Sequence, residues 1–406
     1  MKTYTIGHET VDSVELKCLV VSRGLKVDKK IYRRFSKDFR LHVNPLCCNC
    51  FFLSDGTIVQ LTDMGFHLSY LGGMLSWDNL KLLRYASELG TPFSLVLDSD
   101  KGEAVLLHDG VFVDYVTFPK KTDFYTRKTA GGLSYAGNTV LQGVDWVAFQ
   151  CLWPCEYAAK GKPCQFCFSG AEHEKLGASG KPLPAAVSPA DAAEIVQYAV
   201  EHVGVNSVQL TGGSTFSGVT EETHIRAYLE AIRNCVQVPG EILLYLTPPK
   251  RLEAIDDYFA LGASRIAASL EVWDENLAAD ITPGKIAFTT RAKYLETLEY
   301  TVNRHGSGTA FSNFIIGLEP FESLAAGAEA LAARGIIPTA SVWMPMGRPV
   351  RGSMKAPNVD YYRRVKELFA ELYVKYKLEP AACCGLNVCV ERDIFRYGMS
   401  GGCACK

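Results

Sequence analysis

The sequence predicts an α/β fold in which parallel strands alternate with helices, preceded by a β-rich segment and followed by a Cys-rich one. Three observations carry this. From about Val144 onward, short apolar runs alternate with stretches of helical period, as βα units around a parallel sheet require. The connections are short, and Gly-containing stops such as HGSG (305–308) and ARG (333–335) punctuate them. Residues 1–140 instead show strand-like runs divided by turn signals such as SDG and HDG. The expected organisation is a β-rich N-terminal domain (1–140), a βα domain (141–378) and a Cys-rich extension (379–406).

Six units follow in order. WVAFQ (146–150) reads as strand one, and after a long Cys-rich loop Ser188 caps and Pro189 opens a helix through DAAEIVQYAVEHV. SVQL (207–210) is strand two, followed by a helix around Glu221–Cys235. EILLYL (241–246) is strand three, followed by a helix around Leu252–Leu261, and RIAASLEVW (265–273) is strand four. A helix at Thr290–Arg304, strand five at Thr309–Ile316, a helix at Ser323–Arg334, strand six at Pro338–Trp343 and a last helix at Val359–Tyr376 complete the series. Upstream, SVELKCLVV, FFLSDGTIVQL, FSLVLD and AVLLHDGVFVDYVTF read as strands, and the polar, Gly-containing stretch 120–138 reads as a linker or mobile loop.

The composition excludes several classes. With 406 residues, 48% hydrophobic and 21% charged, the chain buries a large core and is not disordered. Lys and Arg number 42 against 44 Asp and Glu, a net charge of −2, so no broad positive field exists for nucleic acid or anionic membrane. The partner expected is a small molecule. Charges in MKTYTIGHETVDSVELK interrupt any signal-peptide core, and no later window reaches a membrane-spanning length, so the expected location is the cytoplasm.

Fourteen cysteines fall in clusters: 47, 48 and 50; 151, 155, 164 and 167; 383, 384 and 389; 403 and 405; with Cys18 and Cys235 apart. A reducing compartment leaves such thiols available as metal ligands. In βα barrels the chemistry sits at the C-terminal ends of the strands, and the unusual residues fall there. Strand one leads into Cys151-x3-Cys155-x8-Cys164-x2-Cys167, strand two into Gly212-Gly213-Ser214 and strand three into Thr247-Pro-Pro. Strand four carries Ser269, Glu271 and Asp274, strand five ends in Gly317-Leu-Glu319, and strand six in Met344-Pro-Met-Gly-Arg348. Four thiolates would suit structural zinc, and three would hold a [4Fe–4S] cluster with one iron open to a small molecule.

In this order the motifs resemble the radical S-adenosylmethionine superfamily over roughly 145–345. The resemblance implies a partial (β/α)6, TIM-like barrel with a three-cysteine [4Fe–4S] loop after strand one, an aromatic preceding the last cysteine. Phe166 takes that place here. The departure is the first gap, eight residues between Cys155 and Cys164 where the family usually has three. Expanded gaps resemble those of the Elongator acetyltransferase type and one class of carboxy-deazaguanine synthase. Cys155, Cys164 and Cys167 are the expected ligands, with Cys151 the alternative first one. The resemblance further implies that Gly212 and Gly213 receive the methionine amino group, with Ser214 where the family has an acidic residue. Ser269 and Glu271 match the contacts to the amino end and ribose, and Arg291 the arginine that pairs with the carboxylate in biotin synthase and hydrogenase-maturase relatives. By the same resemblance, Ile316 matches the family's adenine motif in strand five, and Met344 is expected to line the adenine pocket.

The implied activity is reductive cleavage of S-adenosylmethionine and hydrogen abstraction from a small-molecule or cofactor-precursor substrate, leading to rearrangement or C–C chemistry. A flavodoxin- or ferredoxin-type donor would supply electrons. The N-terminal domain and the insertion 168–187 are candidate covers for the mouth, and His173 a candidate substrate contact. In the tail, Cys384, Cys389, Cys403 and Cys405 are the expected ligands of a second iron–sulfur cluster, with Cys383 the substitute. Such a cluster opens an alternative reading, sulfur insertion. Cys47, Cys48 and Cys50 read as further ligands or as small apolar packing groups. Two rivals come from other classes: a non-catalytic metal-binding barrel, and a nucleic-acid modifier, which the charge balance disfavours.

Overall fold

The computed structural model describes residues 2–41, 49–63, 91–136, 139–152, 155–167, 186–215, 218–344 and 356–399. The N-terminal part opens with a hairpin, β1 (Thr3–Ile6) and β2 (Glu9–Asp12), followed by α1 (Ser13–Arg23), β3 (Lys26–Val27) and α2 (Lys29–Phe35). A second hairpin joins β4 (Cys50–Phe52) to β5 (Ile58–Gln60) across the SDG turn. β6 (Phe93–Asp98), β7 (Glu103–His108) and β8 (Val111–Val116) form an antiparallel meander, with β3 parallel to β6.

SVELKCLVV is a helix here, against the strand the sequence suggested. Asp12 accepts from Val14 N–H and Glu15 N–H, and Glu15 returns a bond to Asp12 N–H, a complete capping box. Residues 13–22 are all buried, so no apolar stripe marks the helical period.

The principal sheet has the order β15-β14-β13-β12-β11-β10-β9. Its parallel strands are β10 (Trp146–Leu152), β11 (Ser207–Gly212), β12 (Ile242–Tyr245), β13 (Arg265–Ala267), β14 (Ala310–Ile316) and β15 (Ile337–Val342); β9 (Thr139–Gln142) joins antiparallel to β10. Six strands parallel in chain order, open between the outer two, are the wall of a partial (β/α)6 barrel. The helices along it are α3 (Glu156–Ala159), α4 (Pro189–Tyr198), α5 (Gly218–Cys235), α6 (Ala254–Ala260), α7 (Glu275–Ile281), α8 (Pro283–Phe288), α9 (Arg291–His305), α10 (Phe321–Ala332), α11 (Val359–Tyr376) and α12 (Glu391–Gly398). Ser188 accepts from Asp191 N–H ahead of α4, with Pro189 at its first position.

Two further expectations change. Strand four is shorter than 265–273: after Ala267 the chain leaves the sheet and rejoins β14 through a single bridge, Glu271 to Phe314. Residues 120–136 are not a loose linker, because Phe124, Tyr125 and Tyr135 are buried with α4 and β10, and the Tyr125 hydroxyl accepts from Leu141 N–H at 2.8 Å. The tail is folded onto the barrel. Val342 N–H donates to the Val388 carbonyl and Val390 N–H to the Ala340 carbonyl, so 388–390 pair with β15. One hydrophobic cluster runs from α1 and the N-terminal strands through α11 and the tail to the barrel.

Candidate functional site

The C-terminal strand ends converge on a cavity of about 170 Å³. Cys155, Cys164, Phe166 and Cys167 line one side, and Gly212, Gly213 and Ser214 at the end of β11 line another. Ser269, Glu271 and Lys285 close it from beyond β13, with Tyr245, Thr247 and Tyr294 beneath.

The cysteine loop is pinned at both ends. Glu156 N–H donates to the Ser214 carbonyl at 2.9 Å, and Ser214 N–H faces the Cys155 sulfur at 3.5 Å. Such closeness demands glycine, since a Cβ on Gly213 would sit 2.6 Å from the Cys155 Cβ and 2.8 Å from its nitrogen. At the far end Cys167 N–H donates to the Cys164 carbonyl at 3.0 Å, closing the CxxC turn, and Gln165 N–H donates to the Ile281 carbonyl at 2.8 Å. Gly284 lets α8 lie against Tyr157 of α3, where a Cβ would stand 2.8 Å from the Tyr157 Cβ.

Lys285 is the cavity cation. Its Nζ donates to the Ser269 carbonyl at 2.5 Å and to Glu271 Oε1 at 2.8 Å. Burial alone would lower its pKa, but the Glu271 carboxylate and the Cys164 sulfur raise it, so the ammonium form persists. Burial pushes the Cys164 thiol up, opposed by Lys285. Behind the cavity, Glu221 accepts from Thr215 Oγ1 at 2.8 Å and from Thr247 N–H at 3.0 Å, tying the β11 loop to the end of β12. Burial raises it to about 7 against those two bonds.

The sequence-derived candidates divide clearly. Cys155, Cys164, Phe166, Cys167, Gly212, Gly213, Ser214, Ser269 and Glu271 share the cavity. Cys151 does not: it is buried against the helical layer, its thiol donates to the Thr211 carbonyl at 3.2 Å, and burial raises its pKa. Arg291 stacks on Trp273, 4.1 Å from the ring centroid, and lies 3.6 Å from Glu275, outside the cavity lining. Ile316 is fully buried in the core and Met344 packs against it. Sequence reasoning passed over Lys285, Glu221 and Tyr245 as site residues.

In the tail, Cys384 N–H donates to Asp145 at 2.9 Å, Arg396 donates to the carbonyls of Cys383 and Cys384, and the Cys389 sulfur lies 3.1 Å from Ser341 Oγ. Cys403, Cys405, Cys47, Cys48, His173, Arg348 and the insertion 168–185 lie outside the described residues. Among the described residues no three His, Cys, Asp or Glu side chains converge on a single ion.

No family model matches the chain. Over 238 residues it is 26% identical to bacteriochlorophyllide c C-7(1)-hydroxylase of Chlorobaculum limnaeum, a stretch covering 55% of this chain and 59% of that protein. The chain thus spans about three-fifths of the length of the curated relative it matches. Among solved structures it is similar to methylornithine synthase (12% identity, TM-score 0.42, 56% of this chain and 62% of that one). It is also similar to coproporphyrinogen III oxidase of Escherichia coli, a radical SAM enzyme (17%, 0.35, 53% and 50%). A third is a radical SAM methyltransferase from Sphaerobacter thermophilus (16%, 0.37, 76% and 85%). At these scores the fold rests on the strand order of the chain itself.

Proposed function

We infer that this chain is a radical S-adenosylmethionine enzyme that abstracts hydrogen from a small-molecule or cofactor-precursor substrate. One observation carries the reading: three thiols of a Cys-x8-Cys-x2-Cys loop share a cavity at the strand ends with a Gly-Gly turn and a buried Glu–Lys pair. The residues fit the group. Three sulfur donors suit an iron–sulfur cluster, whose several irons do not ask the ligands to converge on a point, and the Gly213 cradle holds the first thiol against β11.

When bound, a [4Fe–4S] cluster with one open iron supplies the electron that cleaves S-adenosylmethionine and yields a 5′-deoxyadenosyl radical. Cys155, Cys164 and Cys167 would hold the cluster. The backbone at Gly212 and Gly213, with the Ser214 hydroxyl, would meet the amino-acid end of the cofactor. Glu271, kept in place by Lys285, would accept from ribose hydroxyls. Arg291, engaged with Trp273 and Glu275, leaves Lys285 as the cation beside that pocket. The bacteriochlorophyllide hydroxylase relative makes a cofactor precursor the substrate class to test, with hydroxylation among the outcomes. A flavodoxin- or ferredoxin-type protein would deliver the electron.

Anaerobic reconstitution, iron and sulfide counting, and assay of 5′-deoxyadenosine after dithionite reduction test this. About four irons per chain with product is the expected result. A count near eight would add a second cluster drawing on Cys384, Cys389, Cys403 and Cys405, and would favour sulfur insertion. Zinc in place of iron with no product would sink the reading and leave a metal-binding barrel.

A further inference from the structure

Glu271 stands in the left-handed region of backbone space, at φ 71°. A non-glycine residue stays there only where its surroundings hold it. Four contacts do so. Its N–H donates to the Asn313 carbonyl at 3.0 Å, and its carbonyl accepts from Ile315 N–H at 2.9 Å. Its Oε1 accepts from Lys285 at 2.8 Å, and Oε2 accepts from Asn313 Nδ2 at 3.4 Å.

The Asn313 amide has a donor end and an acceptor end, so whatever meets its oxygen decides which end faces Glu271. Two hydroxyls meet it, Thr339 Oγ1 at 3.3 Å and Ser341 Oγ at 3.1 Å. A serine hydroxyl that donates its one proton to Asn313 accepts from its other neighbour, here the Cys389 sulfur at 3.1 Å. The direction of the chain follows: Cys389 S–H to Ser341, Ser341 to Asn313, Asn313 to Glu271. It crosses the barrel interior from the tail through β15 and β14 to the mouth.

We propose that Cys389 is a positioning residue whose thiol, acting through Ser341 and Asn313, orients Glu271 toward the ligand of the mouth cavity. This rests on the reading that S-adenosylmethionine occupies that cavity. It also opposes the expectation that Cys389 binds a second cluster. A metal-bound thiolate has no proton to give, so the Ser341 hydroxyl would lose its donor and turn away from Asn313. Ligation of Cys389 and this chain of bonds therefore exclude each other.

The test uses the reconstituted holoenzyme, with the S-adenosylmethionine Kd from equilibrium dialysis and iron per chain read together. C389A and S341A should each weaken binding about fivefold, the loss expected for one hydrogen bond in a polar network. The double variant should be no weaker than S341A alone, since the two act in series. C389S, which keeps a donor, should restore the wild-type Kd, and iron should stay unchanged throughout. N313D, which sets a second carboxylate against Glu271, should weaken binding more than tenfold, roughly the cost of facing like charges in a buried site. Loss of iron in C389S would make Cys389 a ligand and overturn the proposal, as would an unchanged Kd in S341A or additive losses in the double variant. A wild-type protein that binds neither iron nor S-adenosylmethionine would remove the cofactor reading itself, and this proposal with it.

Discussion

At the C-terminal ends of the strands, Cys155, Cys164 and Cys167 line a cavity of about 170 Å³, whereas the cavity of about 20 Å³ at the opposite ends, between barrel and tail, has no cysteine among its described lining residues. The lower cavity lies among Trp146, Leu243, Tyr245 and Phe311 of the barrel, with Pro380, Leu386 and Glu391 of the tail across it. Tyr245 lines both. The mouth loop leaves its thiols facing space, while the tail uses its backbone for anchoring: Lys17, fully buried, donates to the carbonyls of Leu386 and Cys389 and to Asp393. What separates the two ends is whether the sulfurs share an open cavity.

The sharpest way to break this comparison is to remove thiols from one end at a time. Cys164→Ala or Cys167→Ala should abolish the mouth iron and all 5′-deoxyadenosine, while Cys151→Ala should spare both, because Cys151 faces the helical layer. Iron counting with product assay reads the result; loss of both with Cys151→Ala would reverse the ligand choice.

Glycine substitutions sharpen the contrast without touching a thiol. Gly213→Ala drives a Cβ into the backbone of Cys155 and should cut the iron retained by more than half. Gly143 sits at the lower end with φ 56°, and a Cβ there would run into the Gly385 carbonyl of the tail. Gly143→Ala should instead lower stability, by about 1–3 kcal/mol for an overpacked site, with mouth iron retained once folded. Equal iron loss in the two variants would show that the ends are not separable.

Lys17→Met tests the lower anchor directly. Removing the buried ammonium strands Asp393 and two carbonyls, an effect of about 3–5 kcal/mol for a broken buried pair, readable in urea unfolding. A change under 1 kcal/mol would mean that water replaces the lysine.

Much of this was legible in the sequence, and the failures have physical causes. The βα alternation and the Ser188 cap depend on local period and turn chemistry, and both hold; of the odd residues at strand ends, those after β10, β11 and β13 share one cavity. The helix α1 was hidden because it is apolar on every side, which erases the 3.6-residue stripe and leaves β-branched residues to suggest a strand. Stretch 120–138 looked like a linker because its buried aromatics are spaced irregularly, with no period to betray packing. Arg291 matched by spacing alone, and spacing does not say which way a long side chain turns; Trp273, eighteen positions earlier, captures it. Lys285 was invisible as a site residue because its meaning comes from Glu271 across the cavity.

The smallest expected effect concerns two buried carboxylates, one at each end. Glu221 behind the mouth and Glu391 of the tail are each raised to about 7, burial being the leading cause in both. A folded-state value above the ordinary one near 4.3 means that the native state holds more protons than the unfolded chain between those limits. The stability each group contributes is therefore full below about pH 4.3 and lost as pH rises through 7. Glu221→Gln and Glu391→Gln should each flatten the fall in unfolding free energy between pH 5 and 8, by on the order of 2 kcal/mol, read from urea titrations. The two should still differ at low pH. Both oxygens of Glu221 accept bonds, so an amide loses one of them, whereas Glu391 Oε2 has no hydrogen-bond partner among the described residues and Glu391 lines the lower cavity, so an amide there gives up no such bond. At pH 5, Glu221→Gln should be the less stable of the pair, and the reverse order would mean that the lower cavity, not the mouth, is the more tightly satisfied end of the barrel.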